Sequence, residues 1–537
     1  MRIDRLEVRG FRNLGDFRVD FNEDQFATVL IGENGTGKSN LIEAIVLIFR
    51  QLDADLAVPF AYEIVYLCRG QRLRVTASAG QRPEIFVGPE EAERRLALTH
   101  FAAQRDQYLP KYVFAYYSGP SPRLRQYFEY HQNRYYTQVL NDDTGIPPPI
   151  RRLFYCLPEH SRWVLLAYFL RGDMPSEFLQ RFFGIESFDS ALLELKRPHW
   201  AKNWRANRLP PARIRDLGDD RFWWARGVVK TFLQRLWEVS LAPIRVIEPY
   251  QEDYRQRPVN EEHLYLYLPR ASALQLLSED YNSEASLFAA FESTEISNLV
   301  RDVRVRVKRG GESVVFSELS EGEQQLLTVV GLMQFTRHEE SVFLLDEPDT
   351  HLNPVWKMKY LDELARQAGL VGIGGEEAEH SAILDQSSQL ILTTHDPLTM
   401  AGLTRSQVLI FERVAEKIRV RRPNEDPRGM GVAGVLLRLF GLPTTLDQAT
   451  QAKIDRRNSL LRLSSRSRIE EDELSGLSEE LDELGLVYES RDPNYRRYLQ
   501  ALHRRNIRVV SELEASPLED QEALVNEILD EIFADRT

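Results

Sequence analysis

The chain has 537 residues, of which 43% are hydrophobic and 28% are charged, and its net charge is −13; this is typical of a water-soluble protein with one very large or two to three moderate domains. No apolar run reaches the roughly 20 residues that span a bilayer, and no signal-peptide pattern opens the chain. The two cysteines, Cys68 and Cys156, suit a reducing compartment and exclude a zinc ribbon. We therefore expect a cytoplasmic protein without a membrane partner, in which any nucleic-acid contact needs a local basic face.

The first motif along the chain is a phosphate-binding loop. Residues 32–39 read Gly-Glu-Asn-Gly-Thr-Gly-Lys-Ser after the apolar run 26–31, which matches G-x-x-x-x-G-K-[ST] between a strand and a helix. In such a loop backbone N–H groups surround a phosphate, Lys38 adds a charge toward the β- and γ-phosphates, and Ser39 offers its hydroxyl to Mg²⁺. The segment 40–45 predicts a helix whose N-terminal dipole faces the anion. The candidate nucleotide-binding residues of this motif are Asn34, Gly35, Thr36, Gly37, Lys38, Ser39 and Asn40.

The middle of the chain, residues 131–297, is rich in Trp, Tyr, Phe and Arg and predicts a mostly helical insertion, as in the apolar run 163–170. No heptad pattern is sustained over three or four repeats, which argues against a long coiled coil. Residues 196–235 hold eleven Lys or Arg against three Asp, with four Trp among them. Basic side chains beside aromatic rings can grip phosphates and stack on bases, so this stretch is a candidate DNA contact. The alternative interpretation is a solvated face above buried tryptophans.

Residues 319–325 read Leu-Ser-Glu-Gly-Glu-Gln-Gln and open a predicted helix. Ser320 is a suitable N-cap, and Glu323 three residues later completes a capping box. An ordinary capped helix would explain this pattern. The functional alternative is that the helix N-terminus, together with Gly322, meets a γ-phosphate.

The apolar strand predicted over 342–345 ends in two adjacent carboxylates, Asp346 and Glu347. Because side chains alternate along a strand, we expect these two groups to diverge. Asp346 can then hold Mg²⁺ while Glu347 faces the attacking water, which gives the positioning and charge stabilisation that phosphoryl transfer needs. The alternative is a strand end that enters a turn. A later buried-type strand, 390–394, ends in His395, for which a purely structural role is the alternative to a catalytic one.

The last part of the chain, residues 423–537, predicts a helical extension. The stretch 470–483 carries eight Asp or Glu and no Lys or Arg. Leucines between 474 and 484 form an apolar stripe along it, and a second stripe lies within 524–532. Such stripes usually pack inside the same protein and less often receive a partner helix.

Together these motifs resemble those of ABC-type ATPases of the SMC, RecF and OLD branch. The segments similar to the family's first strand and turn, signature motif, D-loop and switch histidine are, in that order, Leu6–Leu14, Leu319–Gln325, Asp349–Asn353 and His395. The resemblance implies that Arg12 reaches the nucleotide and that His395 acts with Glu347 in hydrolysis. In this family the signature of one subunit caps the nucleotide held by another, and the D-loop lies across the seam. It thus implies a homodimer or higher homo-oligomer whose trans signature residues are Ser320, Gly322 and Glu323.

The expected fold class is α/β, an ABC-type P-loop ATPase head with a mixed sheet, a helical insertion and a helical C-terminal extension. The expected parts are an N-terminal lobe with the phosphate loop (1–130), the insertion (131–297), a C-terminal lobe with the signature, carboxylate strand and His395 (298–422), and the extension (423–537). One family feature is unassigned, because no Gln stands at the end of the candidate early strand; either Ser118 substitutes for it or the strand is misassigned. The strand predicted over 112–117 is followed by Ser118, and the residue that replaces the Gln stays open.

A narrower resemblance is to the PtuA-like ATPases of Septu-type anti-phage defence systems and to related ATPases encoded beside restriction systems or retrons. It depends on residues 346–354, on Trp356 and on the element 429–432 that leads into the acidic tail. It implies an ATP-hydrolysing subunit with ATP and Mg²⁺ as cofactors and with a separate nuclease partner of the HNH type.

Two other functions remain as alternatives, a RecF-like DNA-repair ATPase and an OLD-type ATPase with its own nuclease. The OLD-type nuclease needs a Glu followed by an Asp-x-Asp cluster on an apolar strand. Beyond His395 the sequence has the acidic stretches 425–426 and 471–473 but no such strand. The ten His residues also form no compact ligand cluster, so we expect that the chain does not cut DNA by itself.

Overall fold

The computed structural model describes residues 1–484 except 23, 170–176, 205–208, 252–254, 256, 337–338, 368–387, 416, 462 and 464–465. The chain divides into two compact units, one over 1–441 and one from 442 onward. The sequence places the start of the C-terminal extension at 423. Residues up to 441 nevertheless belong to the first unit, because Val435 and Leu439 are buried in its core.

The strands are, in chain order, β1 (Arg2–Phe11), β2 (Leu14–Asp20), β3 (Ala27–Gly32), β4 (Ala61–Cys68), β5 (Gln71–Ala77), β6 (Glu84–Val87), β7 (Arg94–Leu96), β8 (Tyr112–Tyr117), β9 (Leu153–Tyr155), β10 (Ile185–Lys196), β11 (Ile244–Tyr250), β12 (Val259–Leu268), β13 (Val300–Arg309), β14 (Glu312–Val315), β15 (Ser341–Asp346), β16 (Ser388–Thr393), β17 (Val408–Val414) and β18 (Lys417–Arg421). The described α-helices are α1 (Lys38–Ala54), α2 (Leu98–Ala103), α3 (Arg105–Tyr108), α4 (Glu129–Asn141), α5 (His160–Tyr168), α6 (Glu177–Phe183), α7 (Ala212–Leu217), α8 (Gly227–Val239), α9 (Ala271–Ser278), α10 (Glu284–Ile296), α11 (Glu321–Phe335), α12 (Pro354–Gln367), α13 (Gly431–Arg438), α14 (Gln448–Leu461) and α15 (Arg468–Glu483).

A seven-stranded central sheet carries the sequence motifs, and its strand order among the described residues is β18-β17-β3-β16-β15-β8-β9. All neighbours pair in parallel except β17 and β18, so the predicted α/β fold with a mixed sheet is confirmed. β3, β15 and β16 are buried along their whole length, as in parallel strands covered on both faces. Asp346 lies in register with Thr393 on one side and Tyr117 on the other. The carboxyl ends of these strands therefore meet at one edge, where open α/β sheets bind ligands.

Helix α1 packs between this central sheet and the antiparallel sheet β2-β1-β4-β5-β6-β7. Its sequence is apolar on nearly every side, and most side chains from Leu41 to Leu52 are buried. A helix that is hydrophobic all round is stable only when it is covered on all sides. This burial fixes the start of α1, at Lys38, beside the carboxyl edge of the central sheet.

The insertion contains strands as well as the predicted helices. β10, β11 and β12 join β13 and β14 in a five-stranded antiparallel sheet. In β12 the leucines 264, 266 and 268 are buried, whereas Tyr265 and Tyr267 between them are not; this alternation is a strand pattern. The apolar run predicted as a helix forms the buried helix α5. The insertion therefore has the predicted helices and, in addition, strands that the sequence analysis did not predict.

The second unit is described through helices α14 and α15, which are joined by ion pairs. The acidic stretch 470–483 is helical, as expected. Of its leucine stripe, Leu481 is buried with Leu460 of α14, and Leu484 is exposed. The second predicted stripe, 524–532, lies outside the described residues. No helix in the described part of the chain has the length and apolar character to cross a membrane.

Candidate functional site

The phosphate loop connects Gly32, the last residue of β3, to Lys38, the first residue of α1. Gly37 in this loop has a φ of +95°, and a Cβ there would lie 2.8 Å from Leu14 Cδ2 and 3.0 Å from Asn13 Oδ1. Only glycine combines this left-handed backbone with so little room. The turn after β1 is thus packed directly against the loop that the sequence identifies as phosphate-binding.

The tip of the loop is formed by Asn34 and Gly35, which are both exposed, while Thr36 is buried. The carbonyl of Gly35 accepts a hydrogen bond from Asn13 Nδ2 at 2.7 Å and another from Arg413 Nη2 at 3.2 Å. Arg413 lies on β17, far away in sequence, and no local pattern marks it as part of the site. Both bonds are accepted by a carbonyl oxygen of the loop. They hold the loop in place without using its backbone N–H groups.

Lys38 is almost fully buried, and its Nζ donates to the carbonyls of Gly32 at 2.8 Å and Glu33 at 3.0 Å. Burial lowers the pKa of Lys38 to about 8, although the negative charges of Glu347 and Asp346 oppose this shift. A buried ammonium whose hydrogen bonds, among the described residues, go to carbonyl oxygens would gain from an anionic group in direct contact. The loop is therefore suited to a phosphate group.

Asp346 ends β15 and meets the first turn of α1. Its Oδ1 accepts hydrogen bonds from Ser39 Oγ at 3.0 Å and from Thr393 Oγ1 at 2.7 Å. Burial raises the pKa of Asp346, and the hydroxyl donors oppose the rise. A carboxylate beside a hydroxyl provides the hard oxygen ligands that Mg²⁺ uses together with phosphate. No group of three or more His, Cys, Asp or Glu side chains suited to a metal occurs in the described part of the chain.

Glu347 does not continue the strand, so the alternation of strand side chains does not set its direction. The strand ends at Asp346, and Glu347 adopts a left-handed backbone with φ +55°. Its N–H donates to Thr393 Oγ1 at 2.9 Å, and its Oε1 lies 3.5 Å from His395 Nε2. The hydrogen bond and charge of His395 hold the pKa of Glu347 below its usual value. The site thus presents a half-exposed, ionised carboxylate that is free to accept a bond from water.

Arg12 itself adopts a left-handed backbone, with φ +53°. Its Nη2 lies 2.6 Å from Glu43 Oε2, and its Nη1 donates to Asn40 Oδ1 at 3.2 Å. Both partners are on the first two turns of α1. Arg12 is therefore bound to the helix that follows the phosphate loop, and its contact with a nucleotide stays a prediction.

The signature segment forms the predicted capping box at the start of α11. Ser320 Oγ accepts from Glu323 N at 3.3 Å, and Ser320 N donates to Glu323 Oε2 at 2.8 Å. A Cβ on Gly322 would lie 2.3 Å from the carbonyl oxygen of His351, so this helix start packs directly on the D-loop of its own chain. The hydrogen bonds and ion pairs of the described residues join neither Ser320 nor Gly322 to the phosphate loop.

Hydrogen bonds to other parts of the same chain hold the D-loop segment 349–353. Asp349 is buried and accepts hydrogen bonds from Thr394 Oγ1 at 2.5 Å and Thr399 Oγ1 at 2.6 Å. Ser118, at the end of β8, donates from its N–H to Asp346 O at 3.2 Å, and its hydroxyl lies 3.2 Å from Thr350 Oγ1. Ser118 thus reaches the carboxylate strand, although its side chain is too short to do all that a Gln would.

Several arginines in the described part of the basic and aromatic stretch 196–235 are paired within the insertion, while residues 205–208 of this predicted contact lie outside the described residues. Trp223 is buried, and its Nε1 donates a hydrogen bond to Glu262 Oε2 at 2.8 Å. The same oxygen accepts a hydrogen bond from Arg197 Nη2. Arg221 pairs with Asp219 at 2.7 Å. These contacts favour the alternative of a paired, structural surface over the DNA contact, which stays a prediction.

Comparison with known proteins adds family relationships. A family model named AAA ATPase domain matches residues 1–85, and one described as "AAA domain, putative AbiEii toxin, Type IV TA system" matches residues 171–401. The chain is 23% identical over 141 residues to "Retron Vc95 probable ATPase" of Vibrio cholerae serotype O1 biovar El Tor, which covers 24% of each chain. It is 24% identical over 226 residues to the Septu protein PtuA of Bacillus mycoides (strain KBAB4), which covers 40% of this chain and 29% of that one.

These matches span less than a third of the length of either curated relative. Among solved structures, the SMC head domain from Thermotoga maritima is 13% identical, with 79% of this chain and 99% of that chain covered at a TM-score of 0.32. The predicted resemblance to ATPases, and among them to PtuA-like and retron ATPases, is confirmed by the two family models and the two relatives.

Proposed function

We propose that this chain binds and hydrolyses ATP with Mg²⁺, dimerises around ATP, and controls a separate nuclease in a bacterial anti-phage defence system. The observation that carries the ATPase part is the meeting of Lys38, Ser39, Asp346 and Glu347 at one edge of the central sheet. These groups come from two segments that are distant in sequence, 38–39 and 346–347, and each has a use in phosphoryl transfer.

In this proposal the loop N–H groups and Lys38 bind the β- and γ-phosphates, and Ser39 and Asp346 hold the metal. Bound Mg²⁺ would neutralise charge on the transferred phosphate. Glu347 orients the attacking water and accepts its hydrogen bond, because its carboxylate is kept ionised by His395. His395, 3.5 Å away, fixes the direction of that carboxylate.

The dimer is supported by the placement of the signature. Ser320 and Gly322 open α11 against the D-loop, and their described bonds do not reach the phosphate loop of the same chain. A helix N-terminus is a good anion site. The N-terminus of α11 can therefore bind the γ-phosphate of an ATP molecule held by the phosphate loop of a second chain. Two chains related by a twofold axis would then enclose two ATP molecules, each between one phosphate loop and one signature.

Two substitutions test this composite site. Glu347→Gln should slow hydrolysis at least about tenfold while ATP still binds, because it removes only the group that orients water; ATP should then shift this variant to a dimer in size-exclusion chromatography with light scattering. Ser320→Arg should stop both pairing and hydrolysis, since it places bulk and charge at the seam. The composite site is contradicted if Glu347→Gln is no more dimeric with ATP than without it and Ser320→Arg hydrolyses ATP normally.

The assignment to defence is supported by the similarity to a Septu protein and a retron ATPase. In this proposal DNA cleavage belongs to a partner of the HNH type, and the ATPase restrains or releases it. The purified chain, given Mg²⁺ or Mn²⁺ and plasmid or single-stranded DNA with and without ATP, should therefore leave the DNA intact. Cleavage that persists through purification and disappears when Asp472 and Glu473 are changed to Ala would instead support the OLD-type nuclease.

A further inference from the structure

The segment after β8 stands where the family's missing Gln would be, and it bridges two parts of the site. At one end, Ser118 is bonded to the main chain of Asp346 and lies against Thr350. Five residues later, Arg123 Nε donates to Glu43 Oε1 at 2.5 Å, and its Nη2 donates to Asn40 Oδ1 at 2.9 Å. The segment therefore runs from the carboxylate strand to the helix that follows the phosphate loop.

Glu43 is the anchor of this arrangement. Its side chain is only 1% exposed, and it lies on α1 one turn after Ser39. Besides Arg123 it receives Arg12 Nη2 at 2.6 Å and the hydroxyl of Tyr127 at 3.2 Å. Two guanidinium groups thus share one carboxylate, within reach of the same Asn40 oxygen.

The charges of this cluster do not balance. Among the described residues the ion pairs of Arg12 and Arg123 involve Glu43 alone, and the two arginine side chains stay 38% and 30% exposed. One positive charge is left over beside the N-terminal end of α1, where the helix dipole adds to it. A planar cation with spare donors next to a phosphate loop is suited to a phosphate oxygen.

We propose that Arg123 contacts the bound triphosphate and takes over the role of the absent Gln, and that Glu43 positions it for this contact. The inference rests on the proposed ATPase function. Without nucleotide, Arg123 is held by Glu43 and Asn40. With ATP, the spare donors of its guanidinium bind the γ-phosphate while Glu43 keeps the side chain in place, and ADP, which lacks that group, forms less of this contact. Because the segment leads through Tyr127 into α4 at the start of the insertion, the change is passed to the part of the chain outside the ATPase motifs.

The test compares Arg123→Ala with Arg125→Ala. Arg125 is exposed, lies two residues further along the same segment, and forms no ion pair with a described residue, so its removal controls for loss of a cation in this loop. With fluorescent ATP and ADP analogues, Arg123→Ala should raise the Kd for ATP about tenfold and that for ADP less than about threefold, the loss expected for one charge-assisted hydrogen bond to the γ-phosphate. Its kcat should fall by about the same factor, and Arg123→Lys should restore part of both. Arg125→Ala should change each quantity less than about twofold.

A merely structural role of Arg123 would lower the thermal midpoint without changing the preference for ATP over ADP. Glu43→Gln keeps Arg123 and weakens its anchor, so it should reduce this preference as well. The inference is overturned if folded Arg123→Ala keeps the wild-type ratio of ADP to ATP affinity and a kcat within about twofold of wild type. The outcome is separable from failure of the proposed function, in which the wild-type chain itself would show no ATP hydrolysis or Lys38→Ala would bind ATP normally.

Discussion

The carboxyl edge of the central sheet and the stretch 196–235 of the insertion both carry basic side chains, but these side chains have different kinds of partners. In the insertion, arginines face carboxylates of the same chain, as in Arg221 with Asp219 and Arg197 with Glu262, and Trp223 is buried. At the sheet edge, the hydrogen bonds of Lys38 Nζ among the described residues go to two backbone carbonyls, and Arg12 and Arg123 share one acid. Positive charge that is already compensated stabilises the fold, whereas uncompensated charge beside a glycine-rich loop is available for a ligand.

Removing a cation from each region gives the largest contrast. Lys38→Ala should weaken ATP binding about 10- to 100-fold, because it deletes the charge that faces the phosphates. Arg221→Ala, in which the lost guanidinium pairs with Asp219 at 2.7 Å, should change ATP affinity less than about twofold. Isothermal titration of ATP into both folded variants measures this. Equal affinities for the two variants would remove the distinction between the regions and with it the assignment of Lys38.

The reverse contrast appears in stability. Glu262→Ala leaves Arg197 and Trp223 Nε1 without their shared acceptor, and it should lower the free energy of unfolding by about 2–4 kcal/mol while ATP affinity stays the same. The matched control is Glu238→Ala, since Glu238 is an exposed partner of Arg235 and its loss should cost less than about 1 kcal/mol. Denaturant titration of both variants reports the difference. If Glu262→Ala also abolished ATP binding, the insertion could not be treated as structurally separate from the site.

The smallest effect is a proton taken up at the site. Because burial lowers the pKa of Lys38 to about 8, this side chain loses its charge as pH rises through that value. Bound phosphate favours the charged form and raises the pKa, so just above pH 8 ATP binding should take up part of one proton and should weaken as pH rises. Titration calorimetry in two buffers with different ionisation enthalpies measures the uptake. Lys38→Arg, which stays charged, should show none, and identical binding heats in both buffers for the wild type would contradict the shift.

The motifs of the site could be recognised from short sequence patterns. The residues that bind these motifs from distant parts of the chain could not. The phosphate loop, the Ser320 capping box and the Asp346 strand each depend on a few adjacent residues, so spacing alone reveals them. The bonds from Arg413 to Gly35 and from Arg123 to Glu43 join residues that no local period connects.

Backbone detail and the insertion sheet were missed for other reasons. The left-handed turn at Glu347 cannot be read from a residue type that rarely adopts it. The sheet of the insertion could have been found, because alternating Leu and Tyr over 263–268 is a strand signal that the many aromatic residues around it obscured.

The start of α11 packs against the segment that follows Glu347. The space between them is too small for a methyl group. A Cβ at Gly322 would come within 2.3 Å of the His351 carbonyl, and Gln325 Nε2 donates to the carbonyl of Pro348 at 2.5 Å. A close-packed contact of this kind transmits displacement instead of absorbing it. In the proposed pair, a movement of the loop beside Glu347 would therefore displace the start of α11, which covers the ATP bound to the other chain. The hydrolysis of the two ATP molecules would then be coupled.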